Sequence, residues 1–134
     1  MNLDFSSLQK AVTSLEKAVL RSSQVPQDTE LRDAVIQRFE YTYELSWKML
    51  KRVLEQEVAD AASIDALSFQ DLFREAAERG IVPNLGSWLE YRTQRNISTH
   101  TYDENKAKSV YASSVKFLPD AKALLSALEH RHHG

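Results

Sequence analysis

One long helical pattern dictates most of what this chain can fold into. From about Glu30 to Ala59 the residues Leu31, Ala34, Val35, Phe39, Leu45, Trp47, Leu50, Val53 and Leu54 recur at helical spacing and cover more than one face. A helix that is apolar around so much of its circumference must be packed by several neighbours or by a partner. Its dense centre, FEYTYELSWKMLKRVL, carries Tyr41, Tyr43 and Trp47, which read as core or interface residues.

The rest of the chain repeats the same period. Leu8, Ala11, Val12, Leu15, Ala18 and Val19 define an amphipathic first helix, and SSQVPQDTE ends it, with Asp28 or Thr29 placed to cap the long helix. Ser68 reads as the N-cap of a short helix with Phe69, Leu72, Phe73 and Ala76 inward, and Gly80 fits its C-terminal stop. Another helix restarts near Asn84, with Leu85, Trp88 and Leu89 inward. The last begins near Asp103 or Glu104 and places Val110, Tyr111, Val115, Leu118, Leu125 and Leu128 on helical spacing. Pro119 lacks an N–H and crowds the preceding turn, so this helix is expected to kink or restart there.

With three glycines and three prolines in 134 residues, strands joined by tight turns have few turn residues to use. The expectation is an all-α, up-and-down bundle of about five helices with antiparallel neighbours. Residues 1–129 form one helical domain, long enough to bury a core without staples, and 130–134 form a polar tail. His130, His132 and His133 in that tail have metal-ligating side chains, but a frayed end explains them as well.

Composition narrows the chemistry. The absence of cysteine removes disulfides, thiolate catalysis and zinc–thiolate sites. No apolar run approaches the length of a membrane span and no secretory signal opens the chain, so the cytoplasm is the default location. The net charge of −2 argues against tight, sequence-independent binding along a nucleic-acid backbone, while leaving room for a local basic site. There is no P-loop, no GxGxxG and no nucleophile elbow. Glu40 and Glu44 are i, i+4 carboxylates that can bind a metal or, with no His or Asp at partner spacing, form a solvated or ion-paired face.

One stretch, YRTQRNISTHTYDE, crowds Arg95, His100 and Tyr102 between two apolar segments. Five residues on a continuous helix put Arg95 and His100 on different faces, so they converge only across a bend, at a helix end, or from two copies sharing a cleft on a two-fold axis. An arginine and a histidine suit metal-free RNA cleavage. Histidine can take the proton from a 2′-hydroxyl or give one to the leaving 5′-oxygen. Arginine can hold the phosphate charge that develops. Asn96 can orient a phosphate or the histidine, or serve as a cap or core hydrogen bond. A purely structural pair fits the same spacing.

RNISTH followed by Thr101 and Tyr102 is an R-x4-H-x-Y pattern, and in this respect the chain resembles the HEPN superfamily, in particular the HepT branch, also called nucleotidyltransferase substrate-binding proteins. RDAVIQRFEYTYELSWKMLK is similar to that family's long second helix, and SFQDLFREAAERGIV followed by Trp88 is also similar, so the resemblance spans about Leu8 to Leu128. It implies a homodimeric helical bundle in which the R-x4-H residues of two copies face each other. It implies a ribonuclease toxin that needs no cofactor, with Arg95 and His100 catalytic. It further implies a partner minimal nucleotidyltransferase, the antitoxin, which uses ATP to place AMP on Tyr102. An older reading of the family makes the chain a non-catalytic substrate-binding subunit, with Arg95 and His100 holding a nucleotide. A third reading is a dimeric adaptor in which Arg95 pairs with a carboxylate and His100 hydrogen-bonds inside the bundle. Tyr102 separates them: a nucleotide pocket does not require it, whereas an AMPylation-controlled nuclease uses every residue of the pattern.

Overall fold

The computed structural model describes residues 3–132. Six α-helices follow in order: α1 (Ser6–Gln24), α2 (Thr29–Glu57), α3 (Ala61–Asp65), α4 (Phe69–Glu78), α5 (Leu85–Ile97) and α6 (Glu104–Arg131), with a 3-10 turn at Ser98–His100 between the last two. No strand occurs among the described residues. The long helix is the hub, packing against each of the other five. That is the outcome its multi-faced apolar surface requires.

The termini are set by local chemistry. Asp28 accepts hydrogen bonds from the backbone N–H groups of Glu30 and Leu31 at the start of α2, Ser68 from Asp71 at the start of α4, and Asp103 from Asn105 and Lys106 at the start of α6. At the end of α4, Gly80 adopts φ +76°. Its N–H bonds the Ala77 carbonyl at 3.0 Å and the Ile81 N–H bonds that of Ala76 at 2.9 Å, a paired closure that favours glycine at this position.

Three details depart from the sequence reading. The bundle has six helices rather than about five, because Asp60 caps a single short segment, α3, that buries Ile64. The last helix neither stops nor restarts at Pro119 but remains helical from Glu104 to Arg131. Phe117 before the proline and Ala121 and Leu124 after it are all buried, so tertiary packing holds both halves in one helix. The polar tail begins as helix: Arg131 makes two 2.6 Å hydrogen bonds to Glu57, and His132 lies 3.8 Å from the same carboxylate. His133 and Gly134 lie outside the described residues.

An aromatic cluster fills the middle. Phe73 stacks on Trp88 at 5.2 Å, while Phe117 meets Phe39 and Tyr91 edge-on at 5.1 Å each. Tyr43 joins this cluster and is fully buried. Tyr41 is exposed and donates to Ser14 at 2.8 Å, and Trp47 is half-buried at the edge. Trp88 and Tyr91 therefore anchor α5 by one face. On the adjoining face, Arg95 is directed to α2, and Arg92 lies over Phe69 of α4.

Candidate active site

Arg95 occupies the last turn of α5, where its charge also complements the helix C-terminus. Its Nη1 lies 3.3 Å from Glu40 Oε2 and 3.4 Å from Ser98 Oγ, and its Nε lies 3.5 Å from Glu44 Oε1. The Nε contact is an ion pair by distance without hydrogen-bonding geometry, and this buried N–H has no hydrogen-bond partner. Charge-assisted bonds are normally shorter, about 2.7–2.9 Å. The guanidinium is thus positioned by two carboxylates but not saturated by them, and it keeps donors for an incoming anion.

Ser98 binds this group together. Buried to 4% exposure, its hydroxyl lies 2.6 Å from Glu40 Oε2 and 2.7 Å from the Arg95 carbonyl. Its single proton serves one of the two acceptors at a time, while its lone pairs accept from Arg95. Glu40 and Glu44 are therefore an ion-paired face, and no group of three or more His, Cys, Asp or Glu able to hold a metal occurs among the described residues. Ser98 is the residue that sequence reasoning passed over. The only trace of its role is its place three residues after Arg95, one turn on.

His100 ends the 3-10 turn, and both it and Tyr102 are exposed, the tyrosine at 83%. The His100 Nδ1 and Tyr102 hydroxyl are 2.8 Å apart, with the rings edge to face. With the phenol donating, Nδ1 is the acceptor and Nε2 carries the proton of the neutral ring; with a charged ring, Nδ1 donates instead. In either state Nε2 is left for a reacting group. The backbone turn is closed by the Asp103 N–H donating to the His100 carbonyl at 3.0 Å. The bend at Ser98–His100 separates the two halves of the motif: Arg95 points to α2, and His100 points to solvent beside Tyr102. No hydrogen bond joins Arg95 to His100 among the described residues. Asn96 is exposed and its side chain makes no hydrogen bond among them.

Fold and site together define a class: a small all-α bundle with an R-x4-H-x-Y junction between its last two helices, an ion-paired arginine on one side and an open histidine–tyrosine couple on the other. The family model described as "nucleotidyltransferase substrate binding protein like" matches residues 3–130, and the chain belongs to that family. A probable ribonuclease HepT of Haemophilus influenzae is 40% identical, over 97% of this chain and 94% of that protein. A solved H. influenzae structure, described as revealing the fold of a substrate binding domain of a nucleotidyltransferase, superposes with a TM-score of 0.86 at 39% identity, covering 94% of this chain and 99% of that one. A Thermus thermophilus crystal structure superposes with a TM-score of 0.68 at 30% identity, covering 95% and 99%. No helix among the described residues is long and apolar enough to cross a membrane.

Proposed function

We propose that this chain is a metal-independent endoribonuclease of a toxin–antitoxin pair, acting in the cytoplasm as a homodimer and silenced by AMPylation of Tyr102. The observation that carries it is the exposed His100 Nδ1···Tyr102 hydroxyl contact at 2.8 Å, which puts a proton-transfer group and a modifiable phenol side by side. The ribonuclease named among the relatives supports the same reading.

In the reaction, one His100 removes the proton from a ribose 2′-hydroxyl, and the 2′-oxygen attacks the adjacent phosphorus. The bond from phosphorus to the 5′-oxygen breaks, and the His100 of the second copy donates a proton to that oxygen. The products are a 2′,3′-cyclic phosphate and a 5′-hydroxyl. Arg95 binds the non-bridging oxygens as charge builds on them. Glu40 and Ser98 hold it in place.

A minimal nucleotidyltransferase would switch this off. The Tyr102 oxygen attacks the α-phosphorus of ATP, pyrophosphate leaves, and the phenol loses its proton. Modified Tyr102 can no longer donate to Nδ1, and it places a negative phosphodiester where RNA must approach. The exposure of Tyr102 suits such access.

A second reading, a non-catalytic nucleotide-binding subunit of a nucleotidyltransferase, is favoured by Glu40 and Glu44, whose charges offset that of Arg95 in the groove a polyanion would enter. Three experiments decide. Expression of the wild type is expected to arrest growth and degrade RNA, whereas His100→Ala does neither; equal growth and intact RNA in both sink the nuclease reading. Incubation with the partner nucleotidyltransferase and ATP is expected to add the mass of AMP to the wild type and not to Tyr102→Phe; a gain that persists in Tyr102→Phe places the modification elsewhere. Nucleotide binding to the complex that is lost in Arg95→Ala, with no RNA cleavage, establishes the second reading.

A further inference from the structure

One helical turn from Arg95, along both α2 and α5, lies a cleft of ≈300 Å³ lined by Trp47, Lys51, Ile64, Phe69, Leu72 and Arg92. It is joined to the Arg95 site through Glu44, whose Oε2 accepts from the Trp47 indole N–H at 3.1 Å while Oε1 faces Arg95. The Arg92 guanidinium lies over the Phe69 ring, 4.2 Å from its centroid, and Trp47 meets Phe69 edge-on at 5.8 Å. Lys48 stands 5.8 Å from the Trp47 ring. Of the two cations that line the cleft, Lys51 is paired with Asp65, whereas Arg92 forms no ion pair among the described residues.

We propose that this cleft seats a nucleobase of the single-stranded RNA next to the phosphate held by Arg95, with Trp47 and the Arg92–Phe69 pair as its walls. The inference rests on the nuclease reading and adds the substrate's binding register to it. A half-buried indole and an unpaired guanidinium plane are the chemistry that holds single strands: bases stack on flat π-surfaces while positive charge follows the backbone. An apolar partner would need no open guanidinium. A duplex would not present a base to the cleft at all.

The test uses the full-length His100→Ala protein, so that binding is read without cleavage. A fluorescent single-stranded RNA 12-mer and an abasic ribose-phosphate strand of equal length are titrated while intrinsic tryptophan emission is followed. Of the two tryptophans Trp88 is 1% exposed, so Trp47 carries the response. RNA is expected to quench emission saturably and the abasic strand is not. Trp47→Phe removes the quench, and Arg92→Gln, a change at an exposed position, weakens RNA binding by about 5-fold or more with an unaltered melting temperature. RNA affinity unchanged in both variants, or equal binding and quenching by the abasic strand, overturns the nucleobase seat while leaving the nuclease reading in place. A dimer that becomes monomeric in Arg92→Gln also overturns it, because the cleft is then an interface between copies. No RNA binding by the parent at all, together with no cleavage by the wild type, fails both.

Discussion

Arg95 is the residue whose surroundings say most about how the site works. Its charge is held by Glu40 at 3.3 Å and Glu44 at 3.5 Å, and a buried serine fixes the geometry. In the proposed reaction Ser98 and Glu40 are positioning residues, since they would reach the reacting phosphate only through the guanidinium. Ser98→Ala is expected to lower kcat for RNA cleavage on the order of 10-fold with little change in melting temperature, and Glu40→Gln to act in the same direction; unchanged rates in both contradict the positioning role. Arg95, His100 and Tyr102 were legible in the sequence because they form a contiguous pattern. Ser98 and the partnership with Glu40 were not, since the contact spans 58 residues and depends on how α5 lies against α2. The adaptor reading foresaw the pairing of Arg95 with a carboxylate. It also required His100 to bond inside the bundle, and His100 is exposed beside Tyr102.

The helices show which sequence signals carry over to structure. The caps Asp28, Ser68 and Asp103 and the stop at Gly80 stand where short side-chain acceptors and a missing Cβ suggest. The short α3, five residues long, escapes a 3.6-residue periodicity altogether. Pro119 misled because a local rule about one N–H competes with the buried Phe117, Ala121 and Leu124 on either side of it. At the far end of α6, Arg131 and Arg79 both reach Glu57 on α2. The hydrogen bonds from Arg131 chiefly, with the charges of Arg131 and Arg79 adding to them and burial opposing, hold the Glu57 carboxyl below the usual carboxylate range. Its unfolded value lies near ~4.3, so the folded state binds this proton less readily. The resulting stabilisation is complete above the unfolded value and is lost as pH falls through the lower folded one. Thermal melts from about pH 6 to about pH 3 are therefore expected to show a smaller drop for Glu57→Gln than for the wild type; an equal drop would mean that this link contributes nothing to acid sensitivity.

Taken whole, the molecule is a bundle organised around α2, with the aromatic core on one side of α5 and the charged seam of Arg92, Arg95, Glu40 and Glu44 on the other. The hub role of α2 was readable from its apolar circumference alone. Which of its aromatic residues face inward was not, because Tyr43 and Trp47, four apart, share one side of the helix, and only packing separates the buried Tyr43 from the half-buried Trp47. Arg95 and His100, on different faces by their spacing, are not brought together by the 3-10 turn within one chain, which suits the proposed cleft completed by a second copy facing the first. The decisive measurement is cleavage of single-stranded RNA by the purified wild type and His100→Ala proteins in the presence of a metal chelator, with product ends identified by mass. The wild type is expected to leave 2′,3′-cyclic phosphate and 5′-hydroxyl ends, and His100→Ala to be slower by about 100-fold or more. Equal rates in the two proteins, no cleavage by the wild type, or loss of its activity to the chelator would contradict the account.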